Sequence, residues 1–281
     1  MKSSRLIVWL LVAACIAIDL AMIGELQIRR NEWPEPGGVI GLGLAFSQVA
    51  LIALWAVWGR NKVLVRGVGT LLGVWAVSCL AAYSSSGSLR GGGIWFGVLM
   101  FYCSISLVPF VMARFLRYEL ANQSVAHRPP SNSQLSASQF TIGGILSLMT
   151  AIGIALAVVR FAEFPTGQVM ETAAFFTLLA VTVCVILLLA LFFPHIGAAV
   201  CATVLLCPVA GVLLSLTGLA PGEGTLELVL MVCVQGAAIL AASVALRSAG
   251  YRLRRADASQ AMASESMDAS ALESEGPGDE L

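Results

Sequence analysis

Charge is scarce in this sequence. Asp, Glu, Lys and Arg together make up 11% of the 281 residues, where a soluble domain carries about 25%. So few charged groups cannot cover a water-soluble globule of this size, and that class is excluded. The 16 Lys and Arg residues are nowhere dense enough to meet a phosphate backbone, so no nucleic-acid partner is expected. Histidine is rarer still: His127 and His195 are the two present, far apart in sequence. Paired carboxylates, a Ser-His-Asp set, a glycine-rich phosphate loop and an HExxH zinc motif are all absent. No CxxC pair occurs among the seven cysteines, Cys15, Cys79, Cys103, Cys184, Cys201, Cys207 and Cys233. Metal binding needs clustered ligands, and none are found. These cysteines read as small apolar packing residues. No catalytic, cofactor-binding or metal-ligating residue is assigned, no cofactor is implied, and an enzyme is not expected.

Apolar residues fill the space that charge leaves. They make up 58% of the chain, whose mean hydropathy is +0.89. Eight stretches are long enough to cross a bilayer: 6–24, 38–59, 64–83, 93–113, 141–160, 172–192, 196–217 and 226–246. About 20 apolar residues are needed, because roughly 30 Å of hydrocarbon is covered at about 1.5 Å per helical residue. The fold class read from the sequence is all-α: a polytopic transmembrane helical bundle of about eight spans, with lipid as its first partner.

Basic residues set the expected orientation. With the N-terminus inside, twelve fall on the inner side: Lys2, Arg5, Arg60, Lys62, Arg66, Arg114, Arg117, Arg128, Arg247, Arg252, Arg254 and Arg255. Four fall outside: Arg29, Arg30, Arg90 and Arg160. Excess Lys and Arg marks the cytoplasmic side, so both termini are expected there. Trp9, Trp55, Trp58 and Tyr118 fall near the inner interface, and Trp33, Tyr83 and Trp95 near the outer one, where amphipathic rings prefer to sit. Trp75 and Tyr102 lie near mid-span and are expected to pack inside the bundle. The start Met-Lys-Ser-Ser-Arg before an apolar run resembles a signal peptide. The run continues to Ile23, which favours an uncleaved span.

Four regions follow. Residues 1–116 hold four spans, and residues 117–139 form a polar connector containing His127-Arg128-Pro129-Pro130-Ser131-Asn132. Residues 140–255 hold four more spans, and residues 256–281 form an acidic, aromatic-free tail expected to be disordered. The last helix is expected to reach Arg254 and Arg255. Both halves begin and end inside, so topology allows a parallel repeat, although all six Trp lie in the first half.

Residues 138–150 read SQFTIGGILSLMT. This resembles a segment of the form QF[ST][IL]xx[IL]L that recurs in uncharacterised multi-spanning membrane proteins of planctomycete-type bacteria. Gly143 stands where that pattern usually carries a basic residue. The resemblance implies a bacterial inner membrane and no particular activity. Physically, Thr141 is suited to cap a helix and Phe140 to sit at the interface.

The candidates for a polar path or helix contacts are Asp19, Gln48, Tyr102 and Gln235. Asp19 lies within the first span, about 9 Å from its outer end if the helix stops near Glu25. A carboxylate at that depth points to function or to a buried partner. Gln48, Tyr102, Thr150, Thr182 and Gln235 lie near mid-span and are expected to hydrogen-bond between helices. Gly37-xxx-Gly41, Gly69-xxx-Gly73 and Gly93-xxx-Gly97 permit close backbone approach. Two functions remain. One is a non-enzymatic scaffold or subunit of an envelope complex, with other membrane proteins or a second copy as partner. The other is a small-solute or ion transporter using Asp19 and the mid-span polar groups.

Overall fold

The computed structural model describes residues 10, 12–18, 20–21, 36–59, 61–86, 91–116, 118–122, 169–193, 195–216 and 224–255. Helix α1 is helical at residues 12–18, and at residues 10, 20 and 21. Then come α2 (Pro36–Trp58), α3 (Val63–Ser86), α4 (Gly92–Phe115) and a strand β1 (Tyr118–Asn122). The second series is α5 (Val169–Phe192), α6 (Ile196–Ser215), α7 (Thr225–Ser248) and β2 (Tyr251–Arg255).

Six of these helices, α2 to α7, are long and apolar enough to cross a membrane. The chain is therefore a multi-pass integral membrane protein. The sequence expectation of spans at 38–59, 64–83, 93–113, 172–192, 196–217 and 226–246 agrees with these helices to within a few residues. Span 6–24 is represented by α1, whose described residues are exposed except for half-buried Cys15. Span 141–160, most of the connector, the acidic tail and Asp19 lie outside the described residues.

Local chemistry explains several boundaries. Pro36 opens α2, where a backbone N–H has no intrahelical acceptor in any case. Gly250 closes α7 with φ 85°, a left-handed conformation that costs a residue without Cβ little. Its N–H bonds the Arg247 carbonyl at 2.9 Å. This turn corrects one expectation. The last helix does not run on through Arg254 and Arg255; it stops at Ser248, and the chain turns into β2. There it pairs antiparallel with β1, Leu120 opposite Leu253. The bundle thus carries a two-stranded ribbon at one end, formed where α4 and α7 both terminate.

The helices pack as two groups of three. In the first, α2, α3 and α4 touch one another; in the second, α5, α6 and α7 do. The groups meet where α2 packs on α7 and α4 on α5. Helices α3 and α6 stay on the outside and are the least buried of the six. Val49 and Ala53 of α2, Leu99 of α4, Ile186 of α5 and Met231 and Ile239 of α7 belong to one continuous core and are almost without exposure.

The outer position of α3 corrects a second expectation. Trp75 does not pack inside the bundle; it is 48% exposed and meets Phe96 edge-on at 5.3 Å. Close packing within each group uses glycine. A Cβ on Gly69 would lie 2.8 Å from the Trp55 ring, and one on Gly73 would lie 3.0 Å from Ile52. The Gly69-xxx-Gly73 face of α3 is thereby spent on α2. At Gly211 a Cβ would lie 2.5 Å from the Val229 Cα, which holds α6 directly against the backbone of α7.

Candidate functional site

The seam's polar centre lies at mid-depth. Tyr102 and Gln235 each stand ten residues into their helices, about 15 Å along the axis and half the thickness of the hydrocarbon. Tyr102 is fully buried and Gln235 is 1% exposed. The Gln235 Nε2 donates to the Tyr102 hydroxyl at 2.8 Å, joining α4 to α7. The Tyr102 ring meets Phe46 of α2 edge-on at 4.9 Å and lies 6.1 Å from Phe176 of α5. Phe46 and Phe176 are 5.7 Å apart. All four seam helices therefore converge on this one cluster. Its apolar parts exclude water, so its polar atoms must find partners within the protein. One has none: the Gln235 Oε1.

The sequence singled out Tyr102 and Gln235, and the structure brings them together. Gln48 sits half-buried on α2, while Asp19 and Thr150 are not among the described residues. Thr182 departs from expectation. Its hydroxyl does not reach across to a neighbouring helix but donates to the Leu178 carbonyl of its own α5 at 2.8 Å. Ser78, Ser104, Thr203 and Ser243 do the same within their helices. A hydroxyl in an apolar setting finds its own helix's carbonyl one turn back as the nearest acceptor.

A second polar feature was not foreseen from the sequence. Arginines seal the ends of α2 and α5, where the last carbonyls lack intrahelical donors. The Arg66 Nη1 donates to the Ala56 and Val57 carbonyls at 2.8 and 2.9 Å. The Arg114 Nη1 also donates to the Val57 carbonyl. In the second group, the Arg247 Nη1 donates to the Ala190 carbonyl at 3.1 Å. A cation at a helix C-terminus also meets the negative end of the dipole. The available signal was an arginine in the last turn of α4 and of α7. The Trp58 indole N–H adds a tie to the ribbon by donating to the Tyr118 carbonyl at 3.2 Å.

Chemically, the mid-depth cluster offers an amide, a phenol and a serine hydroxyl, all neutral. Such groups recognise hydrogen-bonding partners and hold helices in register. Among the described residues no three His, Cys, Asp or Glu side chains group to hold a metal. His195 lies exposed in extended backbone at the start of α6. Cys103, Cys184 and Cys207 are buried as free thiols. No protein-family model matches the chain, and neither a curated protein nor a solved structure matches it.

Proposed function

We propose that this protein is a non-enzymatic component of a bacterial inner membrane, serving as a scaffold or as a subunit of an envelope complex. The observation that carries this reading is the closure of the seam. Tyr102 and Gln235, the two sequence candidates found in contact, bond to each other inside an aromatic cluster drawn from α2, α4 and α5. Their polarity goes into helix association, the usual role of such groups in membranes. The ribbon end is assigned to the cytoplasm, because Lys62, Arg66, Arg114, Arg247 and the arginines of β2 gather there. Both termini then face the cytoplasm.

A second reading, a transporter of small solutes or ions, draws on a separate observation. The Gln235 Oε1 is buried without a partner at the depth where transporters place their sites. Purified full-length protein in proteoliposomes tests both. The scaffold reading expects proton and small-solute flux no greater than in protein-free vesicles. Flux that depends on Gln235 or Asp19 overturns it in favour of transport.

A further inference from the structure

The helices of the first group begin at Pro36, Val63 and Gly92, and those of the second at Val169, Ile196 and Thr225. Each start is displaced by the same 133 residues that separate Tyr102 from Gln235. The strands keep this displacement, Tyr118–Asn122 against Tyr251–Arg255. No insertion or deletion separates the two series from the first helix to the end of the strand. Contacts follow the same shift. Arg114 bonds the carbonyl of Val57, and Arg247 that of Ala190. Thr70 bonds the carbonyl of Arg66, and Thr203 that of Ala199. Buried positions recur as Val49 and Thr182, Ala53 and Ile186, Leu54 and Leu187. The packing of α2 on α7 becomes that of α5 on α4.

A residue can touch its own counterpart only on the rotation axis that relates two copies. Two such pairs touch here. Tyr102 meets Gln235 at mid-depth, and Leu120 meets Leu253 at the central rung of the ribbon. The outer rungs obey the same rotation: Tyr118 opposite Arg255 exchanges with Asn122 opposite Tyr251. The two points lie at different depths, so the axis runs along the spanning direction.

We infer that the two groups are copies of one unit, paired about a pseudo-twofold axis normal to the membrane. The seam is then an isologous surface, in which the partner that each unit fits is a second copy of that unit. This inference does not rest on the scaffold reading. The copies have diverged in side-chain size across the seam. Phe176 presses on Tyr102, while its counterpart Gly43 lets the Met231 carbonyl of α7 come within 2.6 Å of where a Cβ would stand.

Matched distances test the axis in the full-length protein. Spin labels are carried on noncanonical amino acids, so that the native cysteines stay in place. Leu72 with Ala241 is matched to Leu205 with Val108, and Leu64 with Ser248 to Gly197 with Phe115, all at exposed positions. Rotation exchanges the members of each match, so the two distances in a match should coincide. A mismatch wider than the label's own spread in both matches overturns the inference. Independently, Leu120→Cys with Leu253→Cys should form an intramolecular disulfide in oxidised native membranes. Failure to form it in protein of normal abundance removes the axis from the ribbon and overturns the inference as stated.

Discussion

Gln235 of α7 and Tyr102 of α4 share a 2.8 Å hydrogen bond in which both side chains are buried at the centre of the bundle. The bond spans the seam between the two helix groups. The rings of Phe46 and Phe176 flank Tyr102 beside it.

Tyr102→Phe removes the hydroxyl and leaves the Gln235 amide buried without its acceptor. The unpaired amide costs about 1–3 kcal/mol, although polar contacts measured within membranes average nearer 0.6 kcal/mol. Gln235→Leu should be comparably destabilising, and the double variant less so than the sum of the two. A double-mutant cycle on thermal or denaturant unfolding in detergent measures this. Additive losses would show that the two side chains do not cooperate.

The arginine seals should be unequal. Arg114→Met leaves Arg66 on the Val57 carbonyl, so α2 keeps one donor. Arg247→Met takes the corresponding donor from Ala190 at the end of α5, where Ala199 occupies the position that matches Arg66. A hydrogen bond from a charged group contributes about 1.5–3 kcal/mol. Arg247→Met should therefore destabilise more than Arg114→Met. The two variants compared in one unfolding assay decide the order.

Glycines separate by what surrounds them. Gly211→Val forces a branched side chain onto the Val229 backbone, and overpacking of this kind costs about 1–3 kcal/mol. Gly67→Ala meets nothing within 4 Å. It should be neutral or stabilising by about 0.5–1 kcal/mol, the helix-interior advantage of alanine over glycine. Folded yield in membranes and thermal stability in detergent should rank Gly67→Ala above the parent protein and Gly211→Val below it.

The sequence showed the spans clearly, because uninterrupted apolar length is a direct consequence of the hydrocarbon thickness. Tyr102 and Gln235 stood out for a related reason: polar groups at mid-depth are few. The rotation of each helix was not legible. The Gly69-xxx-Gly73 spacing marks one face of α3 for close approach but not the neighbour it meets, and mid-span depth alone points Trp75 inward. The ribbon was hidden because Tyr118–Asn122 opens the polar stretch 117–139, which reads as a connector, and its partner strand lies 133 residues further on. The matched spacing of the two halves was hidden by divergence in the buried seam, as at Gly43 and Phe176 or Tyr102 and Gln235, as well as at lipid-facing positions, where one apolar residue serves as well as another. Arg114-xxx-Tyr118-x-Leu120 and Arg247-xxx-Tyr251-x-Leu253 are the trace that survives, and each of these residues sits at a helix end or in the ribbon, where its chemistry is specific.

The ribbon makes the last prediction independent of any charge count. β1 and β2 are hydrogen-bonded neighbours, so the segments after α4 and after α7 must lie on the same side of the membrane. Reporter fusions after Arg128 and after Arg255 should therefore agree with each other whatever the absolute orientation. The excess of Lys and Arg at this end makes cytoplasm the expected compartment for both. Fusions near Glu32 and near Glu223 should report the opposite side, since each precedes a helix that runs toward the ribbon. Two results carry different meanings. Agreement between the first two fusions with a periplasmic signal reverses the orientation but keeps the fold. Disagreement between them breaks the strand pairing, and with it the seam between the two helix groups.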